Sequence, residues 1–233
     1  MTTKRPVFAV LLSSTALFAV ACGRTQAKLT PAPTAAAVSG PGRGATATVA
    51  GVQFVARAGA WSWDPRDLDK EATPILVELH NASSIPVTVR YNRITLTDEA
   101  GHKFAAMPPY DVDATISEPF TVRNPYYGFD RFEIAPYLRR WYPAFRGYNG
   151  AFLYDAAYYG PYVTRYREVK LPTVDMIQRA LPEGVLSPGG HAEGFVYFEA
   201  LDRDAGTVTL GFDVVNAASG AVVGAAKIPF VAR

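Results

Sequence analysis

From Thr48 onward, apolar and polar residues alternate with the two-residue period of β-strands. The stretch VAGVQFVARA alternates loosely. Pro74 to Asn81 sets Ile75, Val77 and Leu79 against Leu76, Glu78 and His80, and Pro86 to Tyr91 sets Val87, Val89 and Tyr91 against Thr88 and Arg90. Ile94 and Leu96 continue apolar up to a turn at Asp98-Glu-Ala-Gly101, and Lys103 to Ala106 forms a further short strand. In the C-terminal quarter Phe195 and Tyr197 oppose Val196 and Phe198. Val208, Leu210, Phe212 and Val214 make a strict face opposite Thr207, Thr209 and Asp213, and Ile228 and Phe230 follow. The turns DRDAG and NAASG bracket these strands at hairpin spacing, and Pro229 predicts an edge strand, since proline cannot donate to a central ladder. About seven short strands separated by turns predict an all-β domain over 48–233, an antiparallel immunoglobulin-like β-sandwich.

One segment breaks this pattern. Residues 108–188 are far longer than a sandwich crossing requires, and Tyr126 to Tyr166 holds ten of the chain's 13 tyrosines, four phenylalanines and Trp141. Arg131, Arg139, Arg140, Arg146, Arg165 and Arg167 lie in or beside the same stretch. So many rings are costly to leave in water, which argues against disorder. Tyrosine mixed with arginine is the composition enriched at protein interfaces. Two readings stand side by side: a second small core laid over the sandwich, or a binding surface using Tyr126, Tyr127, Trp141, Tyr142, Tyr158 and Tyr159. Near the end of the insertion Thr173 caps a short helix with an apolar stripe of Val174, Ile177 and Leu181, stopped by Pro182 and expected to plug the end of the core.

The first 22 residues carry an address. Lys4 and Arg5 precede an apolar run from Val7 to Val20, too short to span a membrane, and Ala19-Val20-Ala21 offers small residues to a signal peptidase. Residue 22 is the only cysteine. Ala19-Val20-Ala21-Cys22 resembles the lipobox of bacterial prolipoproteins, with Ala19 where that family favours leucine. The resemblance implies that 1–21 is a signal peptide, that Cys22 is lipidated, and that the protein is anchored in a bacterial cell envelope. Gly23, where an aspartate would imply inner-membrane retention, points to the outer membrane. The expected architecture also resembles the immunoglobulin-like domains common in envelope lipoproteins. Residues 22–47, with no aromatic and no acidic side chain, read as a flexible tether.

Removing Lys4 and Arg5 with the leader takes 23 Lys+Arg to 21, level with the 21 Asp+Glu. A neutral mature chain gives no support to nucleic-acid binding. A single cysteine excludes a disulfide within the chain.

Candidate chemistry is sparse. There is no G-x-S-x-G, and the serines sit in turns beside no histidine, so no catalytic residue is assigned. His80, His102 and His191 occur singly, and Asp111/Asp113 and Asp202/Asp204 lack the loop of a calcium site, so no metal or other cofactor is expected. SGPGRG lacks the lysine of a phosphate loop, and Asn81-Ala-Ser83 matches a glycosylation acceptor by chance. Trp61 and Trp63, two apart, would share one face of a strand and could stack on a sugar; they equally suit a core beneath the 59–72 loop. The leading expectation is a non-enzymatic, lipid-anchored module that meets an envelope protein through its Tyr/Arg insertion. The alternative is a glycan or peptidoglycan binder using Trp61 and Trp63, and the third an unrecognised enzyme.

Overall fold

The alternating stretches pair as antiparallel strands, as their two-sided patterns require. The computed structural model describes residues 27–123 and 162–233. Among the described residues there are fourteen strands: β1 (Leu29–Pro31), β2 (Ala36–Val38), β3 (Arg43–Val49), β4 (Val52–Ala58), β5 (Ala72–Asn81), β6 (Val87–Val89), β7 (Ile94–Thr97), β8 (Lys103–Ala105), β9 (Thr115–Arg123), β10 (Tyr162–Lys170), β11 (Gly184–Leu186), β12 (His191–Glu199), β13 (Thr207–Asn216) and β14 (Val222–Ala232). Among the same residues there is one α-helix, α1, over Val174–Gln178. A seven-stranded sheet runs β1-β14-β13-β6-β11, with β7 on β13 and β8 on β7. A five-stranded sheet runs β12-β5-β4-β3-β2, and β9 pairs with β10 alone.

The two larger sheets face each other as a β-sandwich. Their inner faces are the period-two faces read from the sequence: Phe54, Ile75, Val77, Leu79, Val196 and Phe198 from one sheet, Leu96, Val208, Leu210, Phe212, Val214 and Phe230 from the other, all in one buried cluster. Phe54 and Phe212 stack across the core with ring centroids 5.3 Å apart. Burying each such ring contributes about 2–3 kcal/mol. The DRDAG turn is a correction to the expected hairpin. β12 pairs with β5 and β13 with β14, so residues 202–206 carry the chain from one sheet to the other. NAASG does close a hairpin, in which the Asn216 side-chain oxygen accepts from the Ala218 N–H at 2.8 Å and Gly220 takes φ +70°.

The described part of the expected tether, 27–47, is folded. β1 pairs with β14, and β2 with β3, so this segment joins both sheets. Its small residues hid it: Leu29 is the one large apolar side chain in the run, yet Leu29 and Ala45 are both buried and the backbone ladder does the rest. SGPGRG is the turn between β2 and β3. It wraps the Arg57 guanidinium, which donates to the Ser39 carbonyl at 2.7 Å and to Glu78 at 2.7 Å. Gly40 takes φ +139°, a backbone conformation that favours glycine, and a Cβ there would push the Arg57 guanidinium aside.

β1 also corrects the edge placement of Pro229, because β14 lies between β1 and β13. The Ala32 N–H donates to the Pro229 carbonyl at 2.9 Å, one residue past the end of β1; the ring costs only the reciprocal bond where that ladder stops. The edge of β12 is covered rather than open. The Met107 N–H donates to Tyr197, the Leu181 N–H to Phe195, and the Phe195 N–H to Arg179. Residues 107 and 179–186 therefore belong to the sandwich, and the excursion from it is shorter than 108–188.

Candidate functional site

A second core lies on the outer face of the five-stranded sheet. β5 and β12 are apolar on both sides, and Leu76, Phe195 and Tyr197 face away from the sandwich to meet Leu68, Val112, Ile116, Leu171 and Met176. The expected helix is present, with the Thr173 hydroxyl accepting from the Met176 N–H at 3.4 Å. Its buried residue is Met176, while Val174 and Ile177 are exposed and Leu181 lies beyond it. A helix of five residues turns one side chain inward, and the three-residue stripe needs a longer one. The Tyr197 hydroxyl donates to the Met176 carbonyl at 3.0 Å. Burial, and then its neighbour Tyr91, push the Tyr197 pKa well above the ordinary phenol range.

Trp61 and Trp63 belong to this core, in the loop after β4 rather than on a strand, and both are half-buried. Their rings meet edge to face with centroids 5.6 Å apart, and each meets Phe195 the same way, at 5.1 and 5.6 Å. The Trp61 Nε1–H donates to the Pro65 carbonyl at 2.8 Å. The Arg179 guanidinium covers the Trp63 ring 3.9 Å from its centroid. These contacts hold the rings as packing groups.

From this core β9 and β10 leave as a two-stranded ribbon in register from Thr115↔Lys170 to Arg123↔Tyr162. Opposed residues share a face, so the inner face carries Ile116/Val169, then Glu118/Arg167, then Phe120/Arg165. Burial falls away along it: Ile116 is 2% exposed, Glu118 5% and Phe120 37%. The ribbon therefore parts from the body beyond Glu118. On its other face Tyr166 is 70% exposed.

A polar clamp marks the point of departure. Arg167 donates to the Glu118 carboxylate at 2.9 Å and also bonds Asp64, and the other Glu118 oxygen accepts from the Asp67 N–H at 3.2 Å. The Asp64 N–H donates to Asp175 at 3.1 Å, and the Thr173 hydroxyl donates to the Asp64 carbonyl at 2.7 Å. Loop, ribbon and helix are thus tied at one place. The bond to Glu118, and then the charge of Asp64, raise the already high Arg167 pKa.

A cleft of about 500 Å³ opens on the other side of the 59–72 loop. Leu29, Ala58, Pro74 and Leu201 give it an apolar floor, and Lys28, Arg43, Arg66 and Asp69 stand around it. No sequence signal points to this cleft, because its charges come from three segments, two of them inside the stretch whose composition reads as a tether.

The remaining candidates are structural. Asn81 is fully buried; its amide donates to the Ile85 and Leu186 carbonyls at 2.8 and 2.9 Å, and its oxygen accepts from the Ser83 N–H at 3.1 Å. No glycan fits there. His80 and His191 are cross-strand partners, while His102 is bonded to Asp98 at 2.8 Å. Burial alone would push the Asp98 carboxyl up, but the hydrogen bonds and charge of His102 hold it below the usual range. Among the described residues no group of three or more potential metal ligands comes together. Cys22, Tyr126, Tyr127, Trp141, Tyr142, Tyr158 and Tyr159 lie outside the described residues, as do residues 1–21. No protein-family model, no curated protein and no solved structure matches this chain.

Proposed function

We propose that this chain is a lipid-anchored protein of a bacterial cell envelope, held through Cys22 and facing from the outer membrane. It works as a non-enzymatic binding module that meets a protein partner through the Tyr/Arg-rich insertion. The observation that carries this reading is the ribbon β9–β10. It is clamped to the body at Glu118 and Arg167, then leaves it with Phe120, Arg165 and Tyr166 exposed. Large rings and arginines presented to solvent on a firmly rooted element are what an interface needs and what a core avoids.

The glycan reading loses support at Trp63, whose ring face Arg179 covers; Trp61 is packed edge to face on Phe195 and also lines the cleft beside the 59–72 loop. A stacking platform needs a free ring face.

The test is site-specific photo-crosslinking in cells. A crosslinker at Tyr166 or Tyr142 is expected to trap one discrete envelope protein, and one at Val223, on the exposed hairpin of the sandwich, to trap none. Equal labelling from both places, or recovery of glycan alone from Tyr166, defeats the proposal. For the anchor, Cys22→Ala is expected to abolish fatty-acid labelling and release the protein from membranes; labelling that persists defeats it.

A further inference from the structure

The cleft beside the 59–72 loop has chemistry that the insertion does not use. Its three cations come from three places: Lys28 just before β1, Arg43 at the start of β3, and Arg66 from the loop. β1 and β3 belong to different sheets, so the fold itself brings these charges together. All three side chains are exposed, and among the described residues none forms an ion pair. Asp69 is the one acid among the residues lining the cleft, so the cleft is net positive in a mature chain whose total charge is balanced. The volume suits a small polar group, and the apolar floor suits the glycerol and first methylenes beneath it.

The position of the cleft along the chain narrows the ligand. Ala27 lines it, five residues after Cys22. Five residues reach at most about 18 Å. If Cys22 carries the acyl chains, the cleft cannot stand farther than that from the membrane surface, and the phosphates lying there are its nearest anions.

We infer that the cleft ringed by Lys28, Arg43 and Arg66 binds the phosphate headgroups of anionic phospholipid and seats this end of the sandwich on the membrane. The inference rests on the lipid-anchor reading. Each cation near an anionic surface raises affinity about fivefold, so three together are worth about a hundredfold. The attraction weakens with salt. The acyl group then fixes where the protein is, and the cleft fixes which end faces down.

The test uses the processed chain from residue 22 with Cys22→Ser, so that acylation plays no part, and vesicles of phosphatidylglycerol mixed with phosphatidylcholine or of phosphatidylcholine alone. Co-sedimentation is expected with the anionic vesicles only, fading as salt rises. The triple variant K28A/R43A/R66A should bind about a hundredfold more weakly, while R90A/K103A/K227A, which removes the same charge from exposed sites elsewhere, should bind as the parent does. Equal binding to both vesicles, or equal loss in both triple variants, overturns the inference. So does binding of inorganic phosphate without any binding of vesicles, which would make the ligand a free anion. Fatty-acid labelling of the unsubstituted protein keeps the two readings apart. Labelled Cys22 without vesicle binding removes the cleft and leaves the anchor, and vesicle binding without label does the reverse.

Discussion

Replacing Glu118 with alanine tests whether the ribbon is rooted where the structure roots it. The carboxylate is 5% exposed and accepts two hydrogen bonds, from Arg167 at 2.9 Å and from the Asp67 N–H at 3.2 Å. A charge-assisted bond contributes about 1.5–3 kcal/mol and a backbone bond about 1 kcal/mol. Arg167 is half-exposed, so the lower end of the first range applies. With the orphaned Asp67 N–H added, the loss is about 3 kcal/mol, or about a hundredfold in an opening equilibrium. A two-stranded ribbon has little stability of its own, so this loss should fall on the ribbon rather than on the sandwich. Native-state hydrogen exchange reads it directly: ribbon amides over 115–122 and 164–170 should exchange about a hundredfold faster, with β13 unchanged. Glu118→Gln, which keeps a carbonyl acceptor for Asp67 but turns an amide NH2, a donor, toward Arg167, should fall between. If the ribbon amides hold their protection, the clamp does not root it. If instead every strand loosens together and Tm falls by about 6–12 °C, the ribbon is part of the cooperative core and the reasoning fails.

Three further outcomes follow from other sites. Asn81→Ala removes four hydrogen bonds at a fully buried position and takes from the Leu186 carbonyl its side-chain donor, so denaturant unfolding should show a loss of about 3–4 kcal/mol; a loss below about 1 kcal/mol would contradict the buried network. Burial, and then the charge of Glu183, push the Tyr91 pKa up to about 12, above the unfolded value near 10. The stability this gives is whole below about pH 10 and lost as pH rises toward 12. Tyr91→Phe should therefore flatten the alkaline fall in Tm, and an ultraviolet titration with the fold intact should lose part of its late-ionising absorbance in Tyr91→Phe and again in Tyr197→Phe. Asp98 has the opposite sign: its folded pKa lies below the unfolded value near 3.9, so its stabilising bond with His102 is present above about pH 4 and lost in more acid solution. Asp98→Asn should lose less Tm than the parent between pH 5 and pH 3, and an equal loss would show that the pair does not matter.

The sandwich was legible because its strands alternate against a single interior. Phe54, Phe212 and the β13 face Val208, Leu210, Phe212 and Val214 all point where a period of two sends them. The reading failed where burial is not one-sided or where side chains are small. β1 and β2 carry alanine, threonine and proline, and their place is set by backbone pairing, which leaves no trace in hydropathy. The DRDAG turn looks like a hairpin because a crossing between sheets uses the same residues. The foot of the ribbon left a fainter trace. Ile116 and Glu118 alternate with Ser117 and Pro119, and Val169 and Arg167 alternate with Glu168, but the glutamate on the inner face reads as polar until Arg167 is placed opposite. The cleft left none, since Lys28, Arg43 and Arg66 are far apart in the chain and become neighbours only when β1 and β3 take their sheets.

The cover over β12 bears on any attempt to shorten the chain. Met107, Arg179 and Leu181 occupy the hydrogen-bonding groups of Phe195 and Tyr197 that would otherwise face outward. A version spliced from 107 directly to the end of β11 would keep the bond to Tyr197 but bare the strand around Phe195 between two apolar faces. Such a margin invites a second molecule to add its own strand, and the product would be fibrils or precipitate rather than a smaller soluble domain.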